Sequence, residues 1–299
     1  MLRFLFPFYD PEVRDWAFPA RVLRWLTLLW LVVGLIALFS ASYAVADAEQ
    51  GDGLYYLKRQ LIWVWLGLWG FNAITRTPLR RILKIAPLAF LVLLGLIAST
   101  LVIGREVNGA TRWIALGPIL IQPSELIKPF LVLQSARLFG DWQRLPWRIR
   151  LTWLGLFGAL LAVILLQPNL STTALCGITL WLVALAGGLP SPYLAGTAIA
   201  GIFTAVVSVT FRSYQMRRIT SFLDPWADPQ GAGYQLVQSL LAVGSGGVWG
   251  TGYGLSQQKL FYLPIQYTDF IFSVFAEEFG LLGGIILLLF LISYATLAL

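Results

Sequence analysis

The chain has 299 residues, 58% of them hydrophobic and only 12% charged, whereas a soluble domain carries roughly 25% charged residues. That excludes a water-soluble fold, and the absence of histidine excludes imidazole catalysis and His-ligated metal sites. The net charge of +7, from 21 Lys and Arg against 14 Asp and Glu, reports topology in such a chain rather than nucleic-acid binding, so no nucleic-acid partner is expected.

The apolar residues form continuous uncharged runs, unlike the alternating strands of a membrane β-barrel. A helix needs about 20 such residues to cross the hydrocarbon, and the runs predict an all-α integral membrane protein, a polytopic helical bundle of about eight transmembrane helices. Residues 1–24 hold Arg3, Arg14, Arg21 and Arg24 and lack the cleavage pattern of a signal peptide, so the first span, 25–46, is expected to stay as a signal anchor. The second, 60–75, can be extended by Leu54, Tyr55 and Tyr56, with Lys58 and Arg59 snorkelling to the interface. A third covers 85–104, and the polar stretch from Arg105 to Arg112 reads as a loop. A fourth runs from about Gln122 to Leu138, with Pro123 suited to its first turn. Residues 151–211 carry no charge and are punctuated at Gln167-Pro168-Asn169 and Gly187-Gly188-Leu189-Pro190, marks of helix ends. They predict helices five, six and seven. Residues 212–267 are polar and glycine-rich and predict one large loop, and helix eight starts near Asp269.

Twelve Lys and Arg fall at the N-terminus and in the loops sharing its side, against four in the two short loops opposite. Basic residues are retained in the cytoplasm, so the N-terminus is expected inside and the 212–267 loop outside. The lone cysteine, Cys176, lies in an apolar run and reads as a buried small residue.

Charged side chains inside a span are costly. Glu125 and Lys128 are spaced i, i+3, on one helical face, as a structural ion pair or as the wall of a wet cavity. Within the loop, two Asp-Pro steps restrict Asp224 and Asp228; a capped turn is the common use of such aspartates. The glycines of 243–254 allow backbone to approach backbone or a ligand, but lack a phosphate-loop pattern. Lys259 can bind an anion or simply be solvated. Thr268 and Asp269 can cap helix eight. Glu277 and Glu278 point about 100° apart on that helix, so at least one should face the interior or a cavity.

These residues lie in a recognisable order. Asn108-Gly109-Ala110-Thr111-Arg112-Trp113-Ile114, Gln122-Pro123-Ser124-Glu125-Leu126-Ile127-Lys128, the stretch from Leu223 to Ser239, Gln258-Lys259 with Leu263-Pro264, and Thr268-Asp269-Phe270-Ile271-Phe272 with Ala276-Glu277-Glu278 resemble the SEDS family of peptidoglycan glycosyltransferases. Asp224-Pro225-Trp226-Ala227-Asp228-Pro229 and Gly233-Tyr234-Gln235 are most similar to its division-specific branch. The resemblance implies a single membrane domain over 1–299 that polymerises lipid II into β-1,4 glycan strands at the outer face of the bacterial plasma membrane, at the division septum. It implies Asp228 as the catalytic residue, Glu125, Lys128 and Asp269 as polar residues lining a central cavity and Arg112 as a motif arginine; together with Lys259 and Glu277, read above from their own positions, these are the expected substrate-binding residues. No metal ligand is assigned, although a divalent cation such as magnesium or manganese could help neutralise the pyrophosphate. The partners implied are lipid II, the nascent strand, a class B penicillin-binding protein transpeptidase and other membrane proteins of the divisome. Two departures stand out. Asn169 replaces an acidic residue common in the family, and the chain stops after helix eight where the family usually has ten, which suggests truncation. The alternatives are a lipid II flippase, which needs polar residues through the full membrane depth, and a non-catalytic scaffold, which would not need Asp228.

Overall fold

Every uncharged run long enough to cross a bilayer is helical in the computed structural model, which describes residues 13, 15–107, 110–117, 119–167, 169–211 and 213–299. The helices are α1 (Phe18–Gln50), α2 (Tyr55–Arg76), α3 (Leu79–Ile103), α4 (Pro123–Gly140), α5 (Trp147–Leu166), α6 (Leu170–Ala186), α7 (Ser191–Phe211), α8 (Ser213–Leu223), α9 (Tyr234–Ser245) and α10 (Ile271–Ala298). Five of them, α1, α3, α5, α7 and α10, are long and apolar enough to cross a membrane. Helix α6 is apolar but has only 17 residues. The expected second and fourth spans exist as α2 and α4, but carry Lys58 with Arg59 and Glu125 with Lys128. The protein is a polytopic helical membrane protein, and its large exposed side chains, such as Val102 at 87% and Phe211 at 84%, are those a lipid-facing surface requires.

Local chemistry sets the helix boundaries. Helix α1 has a proline in its first turn and ends at Gly51, whose φ of 67° lets its N–H reach the Asp47 carbonyl at 3.0 Å. Pro123 opens α4, where its missing N–H costs nothing. Asn169 caps α6 by accepting from the Thr172 N–H at 3.3 Å. An aspartate there would cap equally well, so the departure at Asn169 keeps the local structure.

The chain divides into two compact units, Met1–Arg76 with Arg217–Leu299, and Thr77–Met216. In the first, α1 packs against α2 and α10, and α9 packs against α10. Thr27 Oγ1 lies 3.2 Å from the Tyr294 hydroxyl and Trp30 stacks on Phe290 at 5.2 Å, so α1 and α10 run antiparallel. In the second, α3 to α7 enclose a core that includes Phe90, Ile97, Leu131, Phe157 and Cys176, in which Phe90 meets Phe157 edge-on at 5.7 Å. Such close packing is what associates helices when lipid tails compete for the same contacts.

One expectation is corrected and another gains detail. The loop after α3 is a three-stranded antiparallel sheet, β1 (Arg105–Val107), β2 (Ala110–Leu116) and β3 (Ile119–Ile121), in the order β1-β2-β3. Its strands are rich in β-branched residues that favour the pleated state. Val107 pairs with Ala110, and the intervening Asn108-Gly109, which lies outside the described residues, is the dipeptide preferred in two-residue hairpins. The 212–267 region, expected as one loop, contains α8, a 3-10 turn at Pro225–Ala227 and α9. Both helices, of 11 and 12 residues, are shorter than the roughly 20 residues of a span.

Candidate functional site

The Asp228 turn grows from two capped aspartates. Asp224 accepts from the Trp226 N–H at 3.2 Å and so opens the 3-10 turn. Asp228 closes it, and its two carboxylate oxygens accept from the Gly231 and Ala232 N–H groups at 3.0 and 2.8 Å. Its own carbonyl accepts from the Gly233 N–H at 3.0 Å. A Cβ at Gly231 would collide with the Asp228 carboxylate, so a glycine is needed for this approach. The side chain is exposed. Each oxygen keeps a further acceptor position, so the carboxylate is fixed in direction yet open to an incoming hydroxyl. The capped turn common to such aspartates is therefore also the device that aims the carboxylate.

Lys259, Glu277 and Glu278 are spent differently. Lys259 Nζ lies 2.7 Å from Glu278 Oε1, with side-chain exposures of 8% and 1%. Ser40 completes the cluster, donating to Glu278 Oε1 at 2.6 Å and accepting from Lys259 Nζ at 2.9 Å. Glu277, equally buried, binds the Ser256 hydroxyl at 2.5 Å and the backbone N–H groups of Gln257 and Gln258 at 3.0 and 3.3 Å. The two residues expected to meet substrate, Lys259 and Glu277, thus have their polar atoms engaged internally. The sequence did not reveal Ser40 or Ser256, although a serine inside an apolar run is a signal of a polar contact there.

Asp269 is exposed. It does not cap α10, because Phe270 holds the N-cap position with no side-chain cap. In the second unit, Lys128 and Glu125 form the expected i, i+3 pair at 2.6 Å. Lys128 also lines a groove of about 230 Å³ with Pro129, Leu131, Val132, Leu175 and Cys176. Arg112 donates through Nε to the Gln167 carbonyl at 3.1 Å. The Gln167 side chain, buried, bonds the Ile97 carbonyl at 3.0 Å and Thr100 Oγ1 at 2.5 Å, which ties the arginine to α3.

The chain is similar to known proteins along almost its whole length. The FtsW/RodA/SpoVE family model, described as a cell cycle protein, matches residues 20–299. The chain belongs to this family. Relatives within it include a protein of Synechocystis sp. named "Probable peptidoglycan glycosyltransferase FtsW", 60% identical over 300 residues that cover 100% of this chain and 76% of the relative. One of the same name from Aliivibrio salmonicida is 37% identical, over 91% of this chain and 70% of its own. Among solved structures, one described as "Structural coordination of polymerization and crosslinking by a peptidoglycan synthase complex" is similar at a TM-score of 0.65 with 29% identity, covering 88% of this chain and 74% of its own. The rod shape determining protein RodA of Thermus thermophilus is similar at a TM-score of 0.54 with 27% identity, over 90% and 72%.

Among the described residues, no three Asp, Glu or Cys side chains converge as a metal-binding group. The described carboxylates therefore do not form a ready-made cation site.

Proposed function

We propose that this chain is a peptidoglycan glycosyltransferase that polymerises lipid II at the outer face of the plasma membrane during septal wall synthesis, with Asp228 as the general base. The observation that carries the reading is the exposed Asp228 carboxylate, held by two backbone N–H groups in a chain 60% identical to a relative named for this activity. Asp228 accepts the proton of the GlcNAc 4-hydroxyl of lipid II as that oxygen attacks the anomeric carbon of the growing strand. The new C–O bond forms as the bond to pyrophosphate breaks, and undecaprenyl pyrophosphate leaves with the electron pair. Displacement from the opposite face converts an α-linked donor into a β-1,4 product. A departing pyrophosphate needs cationic stabilisation, and the family resemblance offers Lys128 and Arg112 for anionic parts of the substrate.

The charge asymmetry of the short loops supports an inside N-terminus, with the Asp228 turn outside where the lipid-linked sugar is displayed. A class B penicillin-binding protein is the proposed partner, supported by the similarity to a protein solved in a peptidoglycan synthase complex. The test is polymerisation of lipid II by the purified chain together with that transpeptidase. Glycan strands from the wild type and none from Asp228→Asn are expected; equal product from both would remove Asp228 as the base.

A further inference from the structure

We infer that residues 246–259 form a re-entrant segment inside the membrane part of the first unit, held there by the Lys259–Glu278–Ser40 cluster and the Glu277 clasp. Lys259 and Glu277 are then positioning residues, not substrate contacts. Three observations carry this. The Tyr253 hydroxyl donates to the Ile36 carbonyl at 3.1 Å, and Ile36 lies near the middle of the uncharged run 25–46, roughly 15 Å along the helix from either end. Lys259 reaches Ser40 of the same run.

The second observation is a break in α10. Gly280 has φ 65° and ψ −164°, roughly 14 Å past the first residue of that helix, and a Cβ there would collide with the backbone of Val248 and Gly250. In an unbroken helix the N–H groups of Leu281 and Leu282 would donate to the carbonyls of Glu277 and Glu278. Here they donate instead to the carbonyls of Gly247 and Val248, at 2.9 and 3.2 Å. The vacated carbonyls accept from the N–H groups of Thr251 and Gly252, at 2.9 and 3.0 Å. The loop backbone is thus spliced into the helix ladder, and these two N–H groups and two carbonyls are all paired. Water would satisfy these groups without such a splice, whereas hydrocarbon tolerates irregular backbone only where protein or a wet cavity satisfies it.

The third is the cluster itself. Charges at this depth are costly unless paired, and Lys259 and Glu278 are paired at 2.7 Å. The segment leads to Tyr262, whose carbonyl accepts from the Tyr234 hydroxyl at 2.7 Å, and Tyr234 directly follows the Asp228 turn. The anchor therefore sets where that turn sits, a consequence for catalysis that rests on the function proposed above.

The placement and the catalytic role are tested separately. In the full chain carrying Cys176→Ala, cysteines introduced as Gln230→Cys or Val248→Cys are reacted with a charged maleimide in opened membranes, where the reagent reaches both faces. Both side chains are exposed on the protein, so a difference in rate reports the bilayer. Val248→Cys is expected to react at least about tenfold more slowly, and adding Lys259→Met is expected to narrow the gap; equal rates without Lys259→Met would overturn the re-entrant placement. In the polymerisation assay, Lys259→Met is expected to lower kcat about tenfold with KM within about twofold of wild type, and Lys259→Met/Glu278→Met to recover most of the loss. A raised KM that the second substitution does not rescue would overturn the positioning role. An inactive wild type would count against the proposed function and leave the labelling result standing.

Discussion

Two lysine–glutamate pairs of nearly equal length behave as opposites in this molecule. Lys128 and Glu125 meet at 2.6 Å on the side of one helix, with side chains 29% and 52% exposed. Lys259 and Glu278 meet at 2.7 Å across 19 residues of chain, at 8% and 1%. The first pair forms wherever α4 forms and can open to bind something else. The second exists only if a loop has been drawn against α1 and α10, and it cannot be opened without leaving a charge stranded. Distance alone does not distinguish an interaction available to a ligand from one that holds the fold; burial and chain separation do.

The sharpest way to break that comparison is to remove one partner of each pair. Lys259→Met or Glu278→Leu alone should cost about 3–5 kcal/mol, the usual penalty for stranding a buried charge, whereas replacing both by apolar residues should be far milder. Thermal unfolding of the purified protein in detergent checks this, and a single variant as stable as wild type would place the pair in water. Next in size is Gly280→Ala. The added Cβ both opposes the positive φ and presses on the backbone of Val248 and Gly250, so a loss of about 2 kcal/mol is expected, visible as faster proteolysis of residues 246–259.

Smaller again is Lys128→Met, for which the cost should be about 0.3–0.5 kcal/mol, typical of an i, i+4 or i, i+3 pair on the side of a helix. Any larger loss of polymerisation than of stability would then mark Lys128 as a substrate contact. The smallest effect is expected at Lys58–Asp52, 2.7 Å apart at the end of α1. The hydrogen bond from Lys58, aided by the Leu54 N–H, holds the Asp52 carboxyl below its ordinary value. Its contribution is present above the ordinary pKa and vanishes as pH falls through the lowered one, but solvent screening of this surface pair leaves Asp52→Asn with no measurable shift in melting temperature.

The same contrast explains what could be read from the sequence. The i, i+3 spacing of Glu125 and Lys128, the proline at the start of α4 and the punctuation at Gln167 and Gly187 are local, and the structure follows them. The two aspartates of the Asp-Pro steps were legible as turn residues, though nothing local disclosed that Gly231 and Ala232 would aim the Asp228 carboxylate. The glycines of 243–254 signalled a close backbone approach, but which backbone they meet depends on Gly280, further along the chain and inside an apolar helix. Ser40 is separated from Lys259 by 219 residues, a pairing no periodicity encodes. The pairing of Val107 with Ala110 has a local signal in the Asn-Gly between them, but the polar residues around it have the composition of an ordinary loop.

The central claim is that sugars are joined on the outer surface without being carried across. Vesicles holding this chain in one orientation, with the Asp228 turn outward and the transpeptidase present, would be given lipid II with a fluorescent head group in the outer leaflet alone. Polymer formation with the fluorescence still open to an impermeant quencher is the predicted result. Fluorescence that becomes protected in the lumen, with no polymer formed, would contradict it and make the chain a flippase.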